Sequence, residues 1–205
     1  MKIAIVGGTG PFGSALARRL AEAGIEVTIG SRDPERAAAT ASEVGAARGV
    51  VNSEAVQSAE LVVLAVDASA ALATTAELTE ELGETPVLSV ASLLRIENGA
   101  ALPSDDPLSL AERMQHLLHG PVVAGLHSLA ARSLAAGKAE GDALVCGDDD
   151  AAKAAALELA GALVTGRALD AGPLASARAL EGMTAVIVNL NRRYRGHAGL
   201  RVEGL

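Results

Sequence analysis

Aromatic side chains are nearly absent: Phe12 and Tyr194 are the only two in 205 residues, and there is no tryptophan. A core without large flat side chains has to be built from Ala, Val, Leu and Ile packed closely between layers, which suits a buried parallel sheet. Cysteine is as scarce. Cys146 stands alone, which excludes an intramolecular disulfide, and the opening MKIAIVGG lacks the basic segment, apolar core and cleavage site of an export signal. A cytoplasmic protein is expected. No run of about 18 apolar residues escapes a charge or a glycine, so no membrane span is predicted. Basic residues are outnumbered, 17 Lys and Arg against 25 Asp and Glu, for a net charge of −8. That balance excludes the broad positive surface that nucleic acid or an anionic membrane requires. Any anionic ligand must be held by a local cluster of cations.

Half of the residues are apolar, and the length suits one large domain or one domain with a smaller appendage. Short apolar runs alternate with Ala-rich stretches of helical spacing: KIAIVG, residues 13–23, EVTIGS, residues 34–44, then ELVVLAV at 60–66. This is the rhythm of βαβ units. Further strands are predicted at 85–90, 120–126 and 142–148, and helices near 69–83 and 107–118. After residue 148 an acidic start, DDDAAKAAALELAGAL, predicts a helix, RALDAGP a short strand and turn, and 174–195 a final helix. The stretch 95–106, with Asn98, Gly99 and Pro103, is expected to be a mobile or binding loop.

Gly8-Thr9-Gly10-Pro11-Phe12-Gly13 follows the first predicted strand and opens the first predicted helix, so G-x-G-x-x-G occurs in the context that gives it meaning. In such a unit the first glycine makes a tight turn, the second admits backbone to a pyrophosphate, and the third lets helix and strand pack closely. Helix N–H groups then face the anion. The expected fold is α/β, with a Rossmann-type doubly wound parallel sheet. Where units of this kind prefer NAD, a carboxylate at the end of the second strand binds the ribose hydroxyls. Here that position reads Gly30-Ser31-Arg32, with Arg36 one helical turn on. A hydroxyl and two guanidinium groups are what a 2′-phosphate requires, so NADP is the expected cofactor. Asp33, adjacent and acidic, is expected to point outward and cap the helix that starts at Pro34.

MKIAIVGGTGPFG, TIGSRDPERA, VVAGLHSLAA, ALVCGDDDAAK, LDAGPLASARALEGMT and AVIVNLNRRYRGHAGL together resemble the F420-dependent NADP oxidoreductases over nearly the full chain. The resemblance implies hydride transfer between NADP(H) and the deazaflavin coenzyme F420. It implies an NADP-binding domain at 1–125 and a smaller C-terminal α/β part at 126–205 that completes the F420 site. Thr9, Ser31, Arg32 and Arg36 match NADP-contacting positions, His127 and Leu129 a segment near the deazaflavin, and Gly199 and Leu200 a C-terminal segment approaching the same cofactor. Three places depart from the family pattern: Val66-Asp67-Ala68-Ser69 after the fourth strand, Ala130 in place of a proline, and the loop SVASLLRIENG.

Hydride transfer between two cofactors asks the protein mainly for positioning. Ala65, Val66, Asp67 and Ala91 fall at strand ends where the rings would meet, and the small residues Ala65, Ala68, Ala91 and Gly125 would leave room for them. His127 is the expected catalytic residue, as a hydrogen-bond donor rather than a general acid; a histidine among apolar residues is equally compatible with a role in packing. No metal site is expected, since His116 and His119 have no companions at ligand spacing. Arg132, Arg178, Arg192, Arg193 and Arg195 are candidates to receive the phosphate and polyglutamate tail of F420. AVIVNL in the last helix suggests a homodimer. Two other readings stay open: an NADPH-dependent reductase of a small imine or carbonyl compound using His127 or Asp67 as proton donor, and a non-catalytic NADPH sensor.

Overall fold

A computed structural model describes residues 1–205. The chain begins with β1 (Lys2–Val6), α1 (Pro11–Glu22), β2 (Glu26–Ser31), α2 (Pro34–Val44), β3 (Arg48–Val51), α3 (Asn52–Val56) and β4 (Leu61–Leu64). It continues through α4 (Ala68–Glu77), α5 (Thr79–Leu82), β5 (Val87–Ser89), β6 (Leu94–Glu97), β7 (Ala100–Pro103), α6 (Leu110–Gln115) and β8 (Val122–Gly125). It closes with α7 (Ala131–Ala136), β9 (Ala143–Gly147), α8 (Asp150–Leu163), β10 (Ala168–Asp170), a 3-10 turn at Leu174–Ser176 and α9 (Ala177–Tyr194).

Eight strands form one sheet in the order β10-β9-β8-β5-β4-β1-β2-β3, and β6 and β7 form a separate hairpin. Alternation along β1 shows why helices cover both faces. Ile3 and Ile5 pack with α1, α2 and α8 residues such as Leu16, Ala41 and Leu159, while Ala4 and Val6 pack on the other face with Ala71, Leu110, Met114 and Leu180. Successive side chains of a strand point to opposite faces, so a strand covered on both sides must be apolar throughout. The doubly wound α/β class follows.

The C-terminal strands join this same sheet, but in reverse: β9 runs antiparallel to β8, and β10 is parallel to β9. A parallel return needs a crossover that spans the sheet. The segment between β8 and β9 contains only the six-residue α7 and comes back at the edge it left. Asp142, immediately before β9, therefore lies at the carboxyl edge of the parallel strands.

Several expected boundaries differ. The helix predicted at 69–83 is two helices that break at Leu78, because the hydroxyls of Thr75 and Thr79 bond to the carbonyls of Ala71 and Thr75 at 2.8 and 3.0 Å, four residues back, which bends a helix. The helix at 107–118 narrows to α6, started by a reciprocal Ser109–Glu112 capping box. The final helix begins as the 3-10 turn. The stretch 95–106 is not a mobile loop but largely the β6–β7 hairpin, turned by Asn98 and Gly99 at φ 48° and 80°, the backbone such a two-residue turn demands. Asn189 on α9 binds both backbone groups of Ala101, at 2.8 and 2.7 Å. β3, α3 and α7 are additional elements.

Candidate functional site

The sheet reverses its winding between β1 and β4, and in open α/β sheets ligands bind outside the carboxyl ends of the strands at such a point. A cleft of about 640 Å³ opens there, within the range of small-molecule sites. Its lining includes Thr9, Gly10, Pro11 and Phe12 after β1, Ser31, Arg32 and Arg36 after β2, and Ala65, Val66, Asp67 and Ala91 after β4 and β5. These are eleven of the expected cofactor-binding positions brought to one place.

The glycine loop works differently in detail from its sequence pattern. The tight turn is at Gly7, with φ +81° and no room for a Cβ, which would lie 2.8 Å from the Ala65 carbonyl oxygen. Gly8 and Gly13 do not line the cleft. A Cβ on Gly8 would meet Ile29 at 2.9 Å, and one on Gly13 would meet the Gly7 carbonyl oxygen at 2.6 Å. Both glycines therefore let backbone and helix close up behind the ligand-facing surface. α1 begins at Pro11, and its first helical amide bond runs from Ser14 to Gly10, so the amides of Phe12 and Gly13 have no partner within the helix.

At the tip of β2, Asp33 caps α2 by accepting from the amides of Glu35 and Arg36 at 3.0 and 3.1 Å. The expected cap is formed through one carboxylate oxygen, Oδ1, but Asp33 does not turn away from the site as expected: it also lines the cleft. Arg32 and Arg36 are exposed and neither forms an ion pair with any acidic side chain; Arg36 donates to the Thr9 carbonyl at 3.3 Å. In a chain with an excess of acids, two unpaired guanidinium groups beside the glycine loop make a local cation site. Sequence reasoning missed Asn52, which also lines this cleft and whose Oδ1 is buried without a partner. Its signal was weak because β3 is only four residues long, with a glycine inside it.

His127 lies just past β8, after Leu126, which is held at φ +65°, a strained conformation for a branched side chain. The imidazole is 6% exposed. Burial holds its pKa down to about 4, and the neighbouring Ala91 backbone opposes that shift only partly. Neither ring nitrogen reaches hydrogen-bond geometry with a protein group. The Thr184 hydroxyl fixes its backbone by donating to the His127 carbonyl at 3.1 Å, and is itself 2.8 Å from the Ser92 hydroxyl. A neutral, unpartnered imidazole beside a residue of the cleft wall can give a hydrogen bond to whatever enters past Ala91. Leu129 is buried and lines neither this cleft nor the second cavity.

That second cavity, about 540 Å³, lies farther along the same edge and is lined by Gly199 and Leu200 together with Ala130, Arg132 and Gly141. The other expected tail-binding arginines are elsewhere: Arg178 donates to the Asp106 carbonyl and Arg192 to that of Gly99. Gly125 leaves no room for a ring, since its missing Cβ accommodates the Leu144 carbonyl oxygen 2.8 Å away. Cys146 is fully buried, and burial pushes its thiol up to about 12, which removes it as a nucleophile.

Residues 2–92, which contain the whole first cleft, match the family described as NADP oxidoreductase, coenzyme F420-dependent. The full chain is 35% identical to the F420-dependent NADP reductase of Methanothermobacter marburgensis over 222 residues, covering 100% of this chain and 99% of that relative. The chain belongs to this family. The F420-dependent NADP reductase of Methanocaldococcus jannaschii is 33% identical over 224 residues, with 100% and 99% covered. Among solved structures, one from Arthrobacter sp. FB24, assigned as an F420-dependent NADP-reductase, superposes with a TM-score of 0.86 at 28% identity and full coverage of both chains. A reductive aminase from Aspergillus terreus in complex with NADPH shares the fold, with a TM-score of 0.69 at 20% identity over 95% of this chain and 62% of its own. The similarity thus extends beyond residues 2–92 to the part that carries His127, Gly199 and Leu200.

Proposed function

We propose that this protein is an oxidoreductase that transfers hydride between NADP(H) and coenzyme F420, with residues 1–125 holding NADP and residues 126–205 completing the F420 site. The observation that carries the reading is the succession of features along one sheet edge: unpaired Arg32 and Arg36 at β2, the glycine loop at β1, small residues at β4 and β5, an unpartnered neutral His127 at β8, and a second cavity beyond it. The residues fit both groups, since a Cβ would fill the turn at Gly7 and buried polar atoms at Asn52 and His127 lack partners.

Ser31, Arg32 and Arg36 hold the 2′-phosphate, and the Thr9-to-Gly13 turn receives the pyrophosphate against the start of α1. Gly8 and Gly13 shape that turn. Ala65, Val66, Asp67 and Ala91 flank the nicotinamide end, while Gly199 and Leu200 bound the deazaflavin side; Leu129 supports this region from within the core. When bound, the two cofactors supply the redox chemistry themselves, hydride passing between nicotinamide C4 and deazaflavin C5. The protein's task is to orient them and keep water out. His127 acts as catalytic residue by donating one N–H. With its pKa near 4 it has no second proton to give at neutral pH, which disfavours an imine or carbonyl reductase relying on it as acid.

No helix is long and apolar enough to cross a membrane, and a single buried cysteine suits a reducing cytoplasm. A homodimer is supported by the outer face of α9, where Val186, Leu190 and Tyr194 are 57, 40 and 71% exposed. Sedimentation should give twice the 20.5 kDa of one chain, and a monomer would remove that part of the reading.

The decisive experiment mixes the protein with F420 and either NADPH or NADH. Loss of the deazaflavin's visible absorbance with NADPH, and little with NADH, is expected. Binding of NADPH without any loss of absorbance would overturn the assignment of F420 as acceptor.

A further inference from the structure

Of the ten Lys and Arg side chains that form no ion pair, three line the second cavity: Arg132, Lys138 and Arg201. Glu140 is the only carboxylate in its lining, and it too is unpaired. In a chain of charge −8, gathering three cations against a single carboxylate, none of them ion-paired, is the mark of a site for an anion supplied from outside. Their placement comes from three different segments. Arg132 stands on the first turn of α7, Lys138 in the loop after it, and Arg201 in the C-terminal segment beyond α9.

Arg201 is held by its neighbours. The Asp142 amide donates to the Leu200 carbonyl at 2.6 Å, and the Val202 amide donates to the Asp142 carboxylate at 2.8 Å, so one buried residue grips the chain on both sides of Arg201. The same carboxylate accepts from the Arg167 amide at 2.7 Å and from its guanidinium at 3.0 Å. Arg167 in turn reaches the carbonyls of Val202 and Leu205. The glycines complete the fit: Gly141 lies against the Leu200 carbonyl, and a Cβ on Gly199 would be 2.7 Å from the Glu140 carbonyl oxygen. A tail with no secondary structure of its own is thus seated at defined register on the cavity wall.

We propose that Arg132, Lys138 and Arg201 form an anion subsite for the phosphate and glutamate carboxylates of the F420 tail, and that Asp142 is the positioning residue that holds Arg201 in it. This rests on F420 being the acceptor. The ring end of the ligand then lies toward His127, and the acidic end meets the cations farther from the first cleft.

Calorimetric titration separates the two ends of the ligand. F420 and its phosphate-free fragment, the ring with its ribityl chain alone, are each titrated into the NADP-bound wild type and the R132Q/K138Q/R201Q variant. The Kd for F420 is expected to rise about tenfold or more, with that of the fragment changing less than twofold. Added salt should weaken F420 binding in the wild type and have little effect in the variant. Asp142→Asn should raise the F420 Kd selectively as well, with partial rescue by Asp142→Glu. Equal losses for both ligands, or no loss, would overturn the subsite while leaving the functional reading intact if the wild type still bleaches F420 with NADPH. A wild type that binds neither ligand overturns both.

Discussion

Arg36 reaches the glycine loop rather than a carboxylate, and the acid next to Arg32, Asp33, accepts two helix amides on a single oxygen, Oδ1. That single assignment turns a residue that looks inimical to phosphate into one that orients Arg36. Replacing Arg32 with Glu removes charge-assisted bonds of about 3 kcal/mol, so the kcat/KM preference for NADPH over NADH should fall roughly a hundredfold; unchanged discrimination would put the phosphate elsewhere. His127 makes a pH prediction. Its folded pKa, near 4, lies below its ordinary 6.5, so between those values the unfolded chain binds the extra proton and the folded one does not. Stability is therefore full above about pH 6.5 and falls toward pH 4, by about 3 kcal/mol. Glu181, raised by burial, acts in the opposite sense. The test is thus the difference in urea stability between wild type and His127→Gln across this range, and parallel curves would show that the imidazole is not the titrating group.

At the scale of elements, α1 and β1 meet through glycines, and the geometry there is tighter than the motif requires. Gly13→Ala places a methyl 2.6 Å from the Gly7 carbonyl oxygen, with backbone rather than a flexible side chain in the way. A loss of about 1–3 kcal/mol is expected, read from denaturant midpoints, and an unchanged midpoint would mean that the helix start can shift freely. β2 and α2 were legible to the residue, since EVTIGS and the Pro34 start carry period, cap and breaker together. The β6–β7 hairpin was equally marked by Asn98-Gly99, but its short, partly polar strands resemble a loop until Asn189 on α9 is seen to hold Ala101. β3 hid for a different reason. Gly49 is needed because the Ala37 carbonyl presses on it, and a glycine inside a four-residue run weakens its signature.

For the whole molecule, the two cavities share one sheet edge because β9 turns back instead of crossing. Deleting residues 196–205 would remove the wall bearing Gly199, Leu200 and Arg201 while leaving the first cleft untouched. Such a chain should bind NADPH within about twofold of the wild type and lose F420 binding, roughly tenfold or more in Kd, by calorimetry. Equal loss of both affinities would show that the C-terminal segment supports the entire fold. The candidate site was legible in halves: eleven residues singled out for cofactor binding line one cleft and Arg132 was already a candidate cation for the tail, whereas Gly7, Asn52, Lys138 and Arg201 came only from packing.

The sequence by itself determined the alternating α/β rhythm, the glycine loop and the absence of a carboxylate poised for the ribose hydroxyls, because each depends on residues close together in the chain. Tertiary structure decided the reversal of β9, the burial of His127 and the seating of Arg201 by Asp142. Those rest on carbonyls and side chains that approach from positions far apart in the chain, up to 60 residues in the Asp142–Val202 bond, and no local pattern encodes which of them will meet.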